Sequence, residues 1–300
     1  MTYDCTTFFN ENDLLELRIN QHWSFVDKFI IVEARQTHTG LQKPLNFDQE
    51  RFAKYSDKIV YRVIDSFEEE MEKYPNLSSK LFEANTRSQP DLAYDDWIRG
   101  YFQVEYCTKV LFDLSPNDDD LVLLSSLDEI FRAEKVAETY PIFNLNQKFS
   151  LRSNIFKNTR LADNIDPIFN FWTSLYAHKL NLYSKEACVG LITTVRNLRY
   201  LKHTDLRNFW CFTHEPIENA GWHFTFLDDT DGEKTLTKYK SWPHSRDKTN
   251  GKKQYFDIQT KEEAIQSVFK DYDLKKVEIT AETHPKFLIE NLAKYSNYIY

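Results

Sequence analysis

The sequence predicts an open α/β fold: a mainly parallel sheet flanked by helices, followed by an aromatic, mixed α/β C-terminal half. Three observations predict it. Short apolar runs alternate with helical stretches over residues 1–130, and strands separated by helices pair in parallel through right-handed crossovers. The runs end in polar or acidic residues: Phe9-Asn10, Glu33-Ala34-Arg35, Asp65-Ser66 and Ser126-Leu127-Asp128-Glu129. An open sheet places its ligand at these carboxyl ends. Beyond residue 130 the chain changes to short aromatic segments such as FNFWTSLYAHK and GWHFTFL.

Residues 3–9 read as a short strand. Asn10 or Asn12 is placed to cap a helix carrying Leu15, Ile19 and Trp23 at four-residue spacing. Phe29-Ile30-Ile31-Val32 is continuously apolar, the pattern of a strand covered on both faces. A short helix around Asp48–Tyr55 leads to a further apolar run, Lys58–Ile64. Residues 66–94 are polar, contain Pro75 and Pro90, and read as a helix fragment and a long loop. Asp95–Asp113 reads as a helix with Trp97, Tyr101, Val104, Thr108 and Leu111 on one face. Asp118-Asp119-Asp120 precedes a strand over Leu121–Leu124. In the second half, FSLRSNIFKN, FNFWTSLYAHK, VGLITTVRNLRYL, NFWCFT and GWHFTFL read as strands or strand–helix mixtures. Lys261–Tyr272 and Pro285–Ala293 read as helices, the second with Pro285 at its first position and Thr283 or His284 as cap. Segments 66–94 and 227–252 are candidate lids or surface loops. Nothing divides the chain, so residues 1–300 read as one domain.

Composition narrows the function. The net charge of −8 over 300 residues argues against a nucleic-acid binder, which shows a basic face. Aromatics make up 15% of the chain, and a thick aromatic core is the first reading of them. Cys5, Cys107, Cys188 and Cys211 are scattered without a CxxC pair, which signals free thiols rather than a zinc site or a disulfide scaffold. The six glycines cannot write a GxGxxG, GxxxxGK or GxSxG loop, and HExxH is absent. A bound nucleotide must therefore be held without a glycine-rich loop. No apolar run has the length of a membrane span or the form of a signal peptide, so the expected location is cytoplasmic, in a bacterial cell or, for a viral protein, its host.

LVLLSSLDEI at 121–130 reads as a buried strand whose last residues carry acid into a cleft. Hard cations such as Mn2+ or Mg2+ bind carboxylate and diphosphate oxygens together, which is one use for such acid. Read with YDCTTFFNENDLLELRIN at 3–20, VDKFIIVEARQTHTGLQKPLNF at 26–47 and AGWHFTF at 220–226, this block resembles glycosyltransferase family 17. That is the family of the β-1,4-mannosyl-glycoprotein 4-β-N-acetylglucosaminyltransferases. The resemblance is collinear over most of residues 1–245. It implies a glycosyltransferase A fold, a nucleotide-sugar donor (UDP-sugar favoured), a glycan acceptor, and an inverting transfer that forms a β-linkage. Residues 1–130 would be the nucleotide-sugar-binding half and 131–300 the acceptor-binding half.

The chain departs from the family pattern in two places. Where the family has D-x-D-E-I-P, this chain has Ser126-Leu127-Asp128-Glu129-Ile130-Phe131. Where the family has Gln-Arg-Asn, it has Gln103-Val104-Glu105. These changes leave open the metal requirement and the donor sugar, and the alternative function is a non-catalytic nucleotide-sugar or glycan-binding member disabled at Ser126. The site expected from the resemblance and the strand ends has Asp128 on the metal or diphosphate, with a turn cap as its alternative. His223 is the late metal ligand. Glu129 or Asp228 is the base that deprotonates the acceptor hydroxyl. Asn10, Glu33, Arg35, Arg99, Gln103 and Ser126 are the expected donor contacts. Trp222 stacks on a sugar or is core, His244 is a second late candidate, and His38 shapes the loop after the second strand.

Overall fold

The computed structural model describes every residue except 146, 154–161 and 249–253. Four parallel strands form its first half: β1 (Thr2–Phe8), β2 (Lys28–Ala34), β3 (Ile59–Ile64) and β4 (Leu121–Leu124). The helices between them are α1 (Asn12–His22), α2 (Gln49–Phe52), α3 (Phe67–Lys73), α4 (Lys80–Arg87) and α5 (Tyr94–Asp113). The continuous apolar run in β2 is explained by alternation. Phe29 and Ile31 enter the core on one face of the sheet, with Leu15 and Leu17 of α1. Ile30 and Val32 enter the core on the other face, with Phe102, Cys107 and Val110 of α5.

The second half adds β5 (Glu129–Phe131), β6 (Phe149–Ser153), β7 (Ala162–Ile165), β8 (Phe169–Ala177), β9 (Leu182–Thr194), β10 (Cys211–Phe212), β11 (Ile217–Thr225) and β12 (Lys275–Lys276). Its helices are α6 (Ala133–Ala137), α7 (Tyr140–Phe143), α8 (Val195–Leu198), α9 (His203–Asn208), α10 (Glu233–Ser241), α11 (Lys261–Asp271) and α12 (Lys286–Glu290). One sheet of nine strands runs in the order β3-β2-β1-β4-β9-β8-β11-β5, with β12 on β9. The parallel half continues into a mixed half, because β9 pairs antiparallel with both β4 and β8. A separate three-stranded sheet is ordered β10-β6-β7. This is the mixed α/β architecture expected of a glycosyltransferase A fold. All four cysteines are buried and free. Among the described residues no helix is long and apolar enough to cross a membrane.

Several boundaries differ from the sequence expectation for local reasons. Neither Asn10 nor Asn12 caps α1: Glu11 stands at the cap position without a side-chain cap bond, and Asn12 instead donates to the Asn46 carbonyl at 2.8 Å. Segment 66–94 is not mainly loop. Ser66 and Ser79 accept backbone N–H bonds from Glu69 and Phe82 and start α3 and α4. Segment 227–252 contains α10 within its described part, and its residues 249–252 lie outside the described residues. VRNL turns from strand to helix after Thr194. Neither Thr283 nor His284 caps the last helix, because Pro285 takes that position and the His284 ring meets the Leu180 carbonyl at 2.8 Å. Part of the predicted FSLRSNIFKN segment, from residue 154 onward, lies outside the described residues.

Candidate active site

The turn after β4 is held from below by one buried arginine. Arg18 lies on α1 with its side chain wholly buried. Its Nε–H and one Nη2–H bind the two Asp4 oxygens at 3.0 and 2.6 Å. Nη1 donates to the carbonyls of Ser126 and Glu129, each at 2.7 Å, and Nη2 also donates to Ser125 Oγ at 2.5 Å. The guanidinium fork thus satisfies all five of its donors and fixes residues 125–129 at both ends. Asp4 also meets His22 Nδ1 at 2.8 Å, while His22 Nε2 accepts the Phe131 N–H at 2.9 Å. That second bond fixes the tautomer: Nδ1 carries the proton and donates to Asp4. Burial lowers the His22 pKa. Burial also opposes the Asp4 charge, but Arg18 and His22 outweigh it and hold its carboxyl well below the usual range.

Pairing of β11 with β5 brings two distant sequence blocks together. His223 stands opposite Glu129, and the Phe224 N–H donates to the Asp128 carbonyl at 2.8 Å. Gly221 permits this close approach, since a Cβ there would lie 2.1 Å from the Ile130 carbonyl oxygen. The Asp128 carboxylate then lies 3.6 Å from His223 Nε2 and 3.5 Å from Lys238 Nζ of α10. Burial opposes its charge, but Lys238 and His223 hold the Asp128 carboxyl well below the usual range. Burial disfavours the His223 cation, and Asp128 outweighs it, so the His223 pKa is raised. Glu129 is fully engaged: Arg207 of α9 binds its two oxygens at 2.7 and 3.0 Å, and the Ser126 N–H donates to Oε2 at 2.9 Å. Ser126 Oγ accepts from the same guanidinium at 3.2 Å.

Two cavities meet at this cluster. The first, of about 330 Å3, opens over the ends of β1, β2 and β4 and is bordered by Phe9, Lys43, Gln103, Asp128, His223 and Lys238. The second, of about 410 Å3, lies on the α5 side between Trp97, Tyr101, Asn170, Arg207 and Trp210. Thr7, His38, Ser126, Glu129 and Pro243 line both. His38 therefore does more than shape its loop. Its Nε2 lies 2.8 Å from Gln103 Oε1, and Gln103 Nε2 donates to the Val32 carbonyl, so the His38 proton is on Nε2.

The structure brings Asp128, Glu129, His223, Gln103 and Ser126 together and places the other candidates elsewhere. Asp228 is wholly buried and accepts the backbone N–H groups of Thr230, Gly232 and Thr235, so it organises the start of α10 and does not reach either cavity. Glu33 is buried under Lys43, Tyr61 and the Asn46 N–H, and shapes the 43–47 loop instead of meeting a donor. Arg35 pairs with Asp65 at the surface, and Arg99 pairs with Glu68 and Asp96. Asn10 borders a small cavity of about 40 Å3 on the other side of Asp128. Trp222 is core: its indole N–H donates to the Thr283 carbonyl, and Arg132 lies over its ring. His244 pairs with Asp247. Arg18, Arg207 and Lys238 complete the cluster and were not sequence candidates. Arg18 had a signal, a charge inside the apolar run of α1, whereas Lys238 is one lysine among several in KTLTKYK.

The helix that carries Arg207 is anchored by a buried acid. Glu105 of α5 accepts the Thr204 N–H at 2.8 Å and its hydroxyl at 2.6 Å. Burial pushes its carboxyl up from 4.5 to about 7, against the Thr204 bonds. A carboxyl raised on folding binds more protons folded than unfolded between about pH 4.5 and 7, so stability falls as pH rises through that window. Glu105→Gln keeps an acceptor and removes the charge. It is expected to match the wild type near pH 5 and to exceed it by about 2–3 kcal/mol at pH 8 in urea denaturation. An equal difference at both pH values contradicts this account.

The fold is a mixed α/β architecture of the kind a glycosyltransferase A protein has, with its candidate site at the carboxyl ends of the parallel strands. Residues 1–78 match the sequence model of glycosyltransferase family 17, the family that the motifs resemble, and this match supports glycosyltransferase activity in the general sense. The blocks at 121–130 and 220–226 lie beyond the matched residues. No curated protein matches the chain.

Proposed function

We propose that this chain is an inverting glycosyltransferase that moves a sugar from a nucleotide-sugar donor, a UDP-sugar first among the candidates, to a glycan acceptor with formation of a β-linkage. The observation that carries this reading is Asp128, set between His223 and Lys238 at the mouth of the strand-end cleft. Lys238 at that point suits a diphosphate oxygen, and Lys43, paired with Glu33, borders the same cleft.

A divalent cation fits part of this cluster. One ligand atom from each of Asp128, Glu129 and His223 lies within 4.8 Å of the others, and His223 Nδ1 is buried with no hydrogen-bond partner. Glu129 is committed to Arg207, so Asp128 and His223 would hold Mn2+ or Mg2+. Ser126 offers only a hydroxyl, a weaker ligand for a hard cation than the family's carboxylate. The bound metal would neutralise diphosphate charge.

The remaining work falls to side chains. Lys238 neutralises the departing diphosphate. Arg207 and the Ser126 N–H fix the orientation of Glu129, which alone among the acids lining these cavities faces both of them. In this reading Glu129 takes the proton of the acceptor hydroxyl, for which Arg207 gives up one of its two bonds to the carboxylate. The oxygen bonds to the anomeric carbon, and the carbon–oxygen bond to the diphosphate breaks with its electron pair on the leaving group. A thermal-shift series with UDP and UDP-sugars, each with Mn2+, Mg2+ or EDTA, tests the donor assignment. The expected result is a rise of several degrees with UDP that is reduced in Lys238→Ala. No shift with any nucleotide in any condition contradicts the assignment.

A further inference from the structure

We infer that a separate cavity between α1, α6 and α12, on the reverse face of the β5–β11 pair, is a binding site for a small carboxylate. Arg132, the residue that follows β5, carries the argument. Its guanidinium lies 4.2 Å from the ring centre of the buried Trp222, and burial lowers its pKa. A guanidinium has five N–H donors, and the protein takes one of them: Nη2 donates to the Glu282 carbonyl at 2.8 Å. Nε is buried without a partner, and Nη1, also without one, remains accessible. Among the described residues no acid pairs with Arg132. Glu134, the one carboxylate that acts on its charge, is exposed and makes no bond to it. Residues 146, 154–161 and 249–253 contain neither Asp nor Glu. A half-buried cation that the chain itself leaves without a counter-ion is completed by an anion from outside.

The cavity beside Arg132 measures about 450 Å3, room for a small organic acid. Gln21 and Ser24 border it, and among the described residues neither side chain has a hydrogen-bond partner, so an amide N–H and a hydroxyl are free for the second carboxylate oxygen. Phe287 supplies an apolar wall for the carbon skeleton. The charges favour one negative charge over two. Lys286 also borders the cavity, but it is paired with Glu290 at 3.6 Å, and Glu134 stands nearby, so a dianion such as phosphate meets two acids as well as two cations. The site is distinct from the strand-end cleft. Successive residues of a strand face opposite ways: His223 lines the cleft, while Trp222 packs into the core on the other side and carries Arg132. The carboxylate has two sources, a free aliphatic acid or the acid group of a sugar.

Thermal shift and calorimetry on the full chain test this, with acetate, succinate, glutamate and glucuronate as probes, inorganic phosphate and sulfate beside them, and ionic strength held constant. A saturable rise in melting temperature is expected with at least one carboxylate. Arg132→Met keeps an apolar stem on Trp222 and removes the charge. Its own melting temperature is expected to hold or rise, since no partner acid is left behind, while carboxylate binding weakens about tenfold or more. Any response of the wild type to UDP is expected to persist in this variant, because Arg132 does not border the strand-end cleft. If Arg132→Met does not fold, Arg132→Gln supplies the same readout. A response to acetate, succinate or glutamate upholds the inference and assigns a free aliphatic acid. A response confined to glucuronate upholds it and assigns the acid group of a sugar. Phosphate or sulfate bound more tightly than every carboxylate overturns the carboxylate class. The absence of a saturable response to any carboxylate, or an equal response in the Arg132 variants, overturns the site, and neither result touches the transferase reading.

Discussion

Arg18→Met is expected to destabilise the fold by about 3–5 kcal/mol in urea denaturation, the usual cost of removing one partner from a buried, hydrogen-bonded ion pair. The change leaves Asp4 charged in the core with only His22 beside it, and it removes the Arg18 donor from the Ser126 and Glu129 carbonyls. Adding Asp4→Asn is expected to recover part of the loss, because the stranded charge is gone while the carbonyls still lack the Arg18 donor. The gap between wild type and Arg18→Met is also expected to shrink in acid. The Asp4 carboxyl is depressed on folding, so its contribution is present above the unfolded carboxylate value of about 3.9 and is lost as pH falls below it. Since Arg18 fixes the 125–129 turn at both ends, nucleotide affinity falls with stability. A loss under about 1 kcal/mol, at the lower end of ordinary point substitutions, contradicts this role.

Asp128→Asn is the second large effect. The amide keeps the shape of the side chain and loses the charge that Lys238 and His223 face. Turnover is expected to fall by about 100–1,000-fold, the scale seen when one preorganised charge-stabilising group is removed from an active site. Some stability is expected to be lost at neutral pH, because a carboxyl depressed on folding stabilises the fold while it is charged. The loss is expected to be smaller than for Arg18→Met, since no charge is left stranded in the core, and a large loss of activity with a modest loss of stability separates this residue from Arg18.

The sequence made the sheet legible for a simple reason. Strands buried on both faces read as continuous apolar runs, and Phe29–Val32 of β2 and all of β4 do. The acidic turn was legible because the apolar run of β4 stops at Leu124 and acid follows. The pairing of His223 with Glu129 was not, since register between β5 and β11 is set by tertiary contacts and not by either segment alone. Asp228 and Glu33 misled for one shared reason. A carboxylate that binds backbone N–H groups and one that binds a ligand look alike in a sequence, and only the filled hydrogen bonds of the fold tell them apart. Lys238 was hidden because α10 begins in a polar stretch whose helix depends on Asp228 and on Gly232 at φ +98°.

The most direct measurement is release of nucleoside diphosphate from a panel of nucleotide sugars, with and without glycan acceptors, by the wild type and Asp128→Asn side by side. The account predicts release from at least one donor, stimulated by an acceptor and lost in a variant that stays folded. Tight donor binding without release from any donor contradicts it and makes this chain a binding protein whose Ser126 marks a lost transferase.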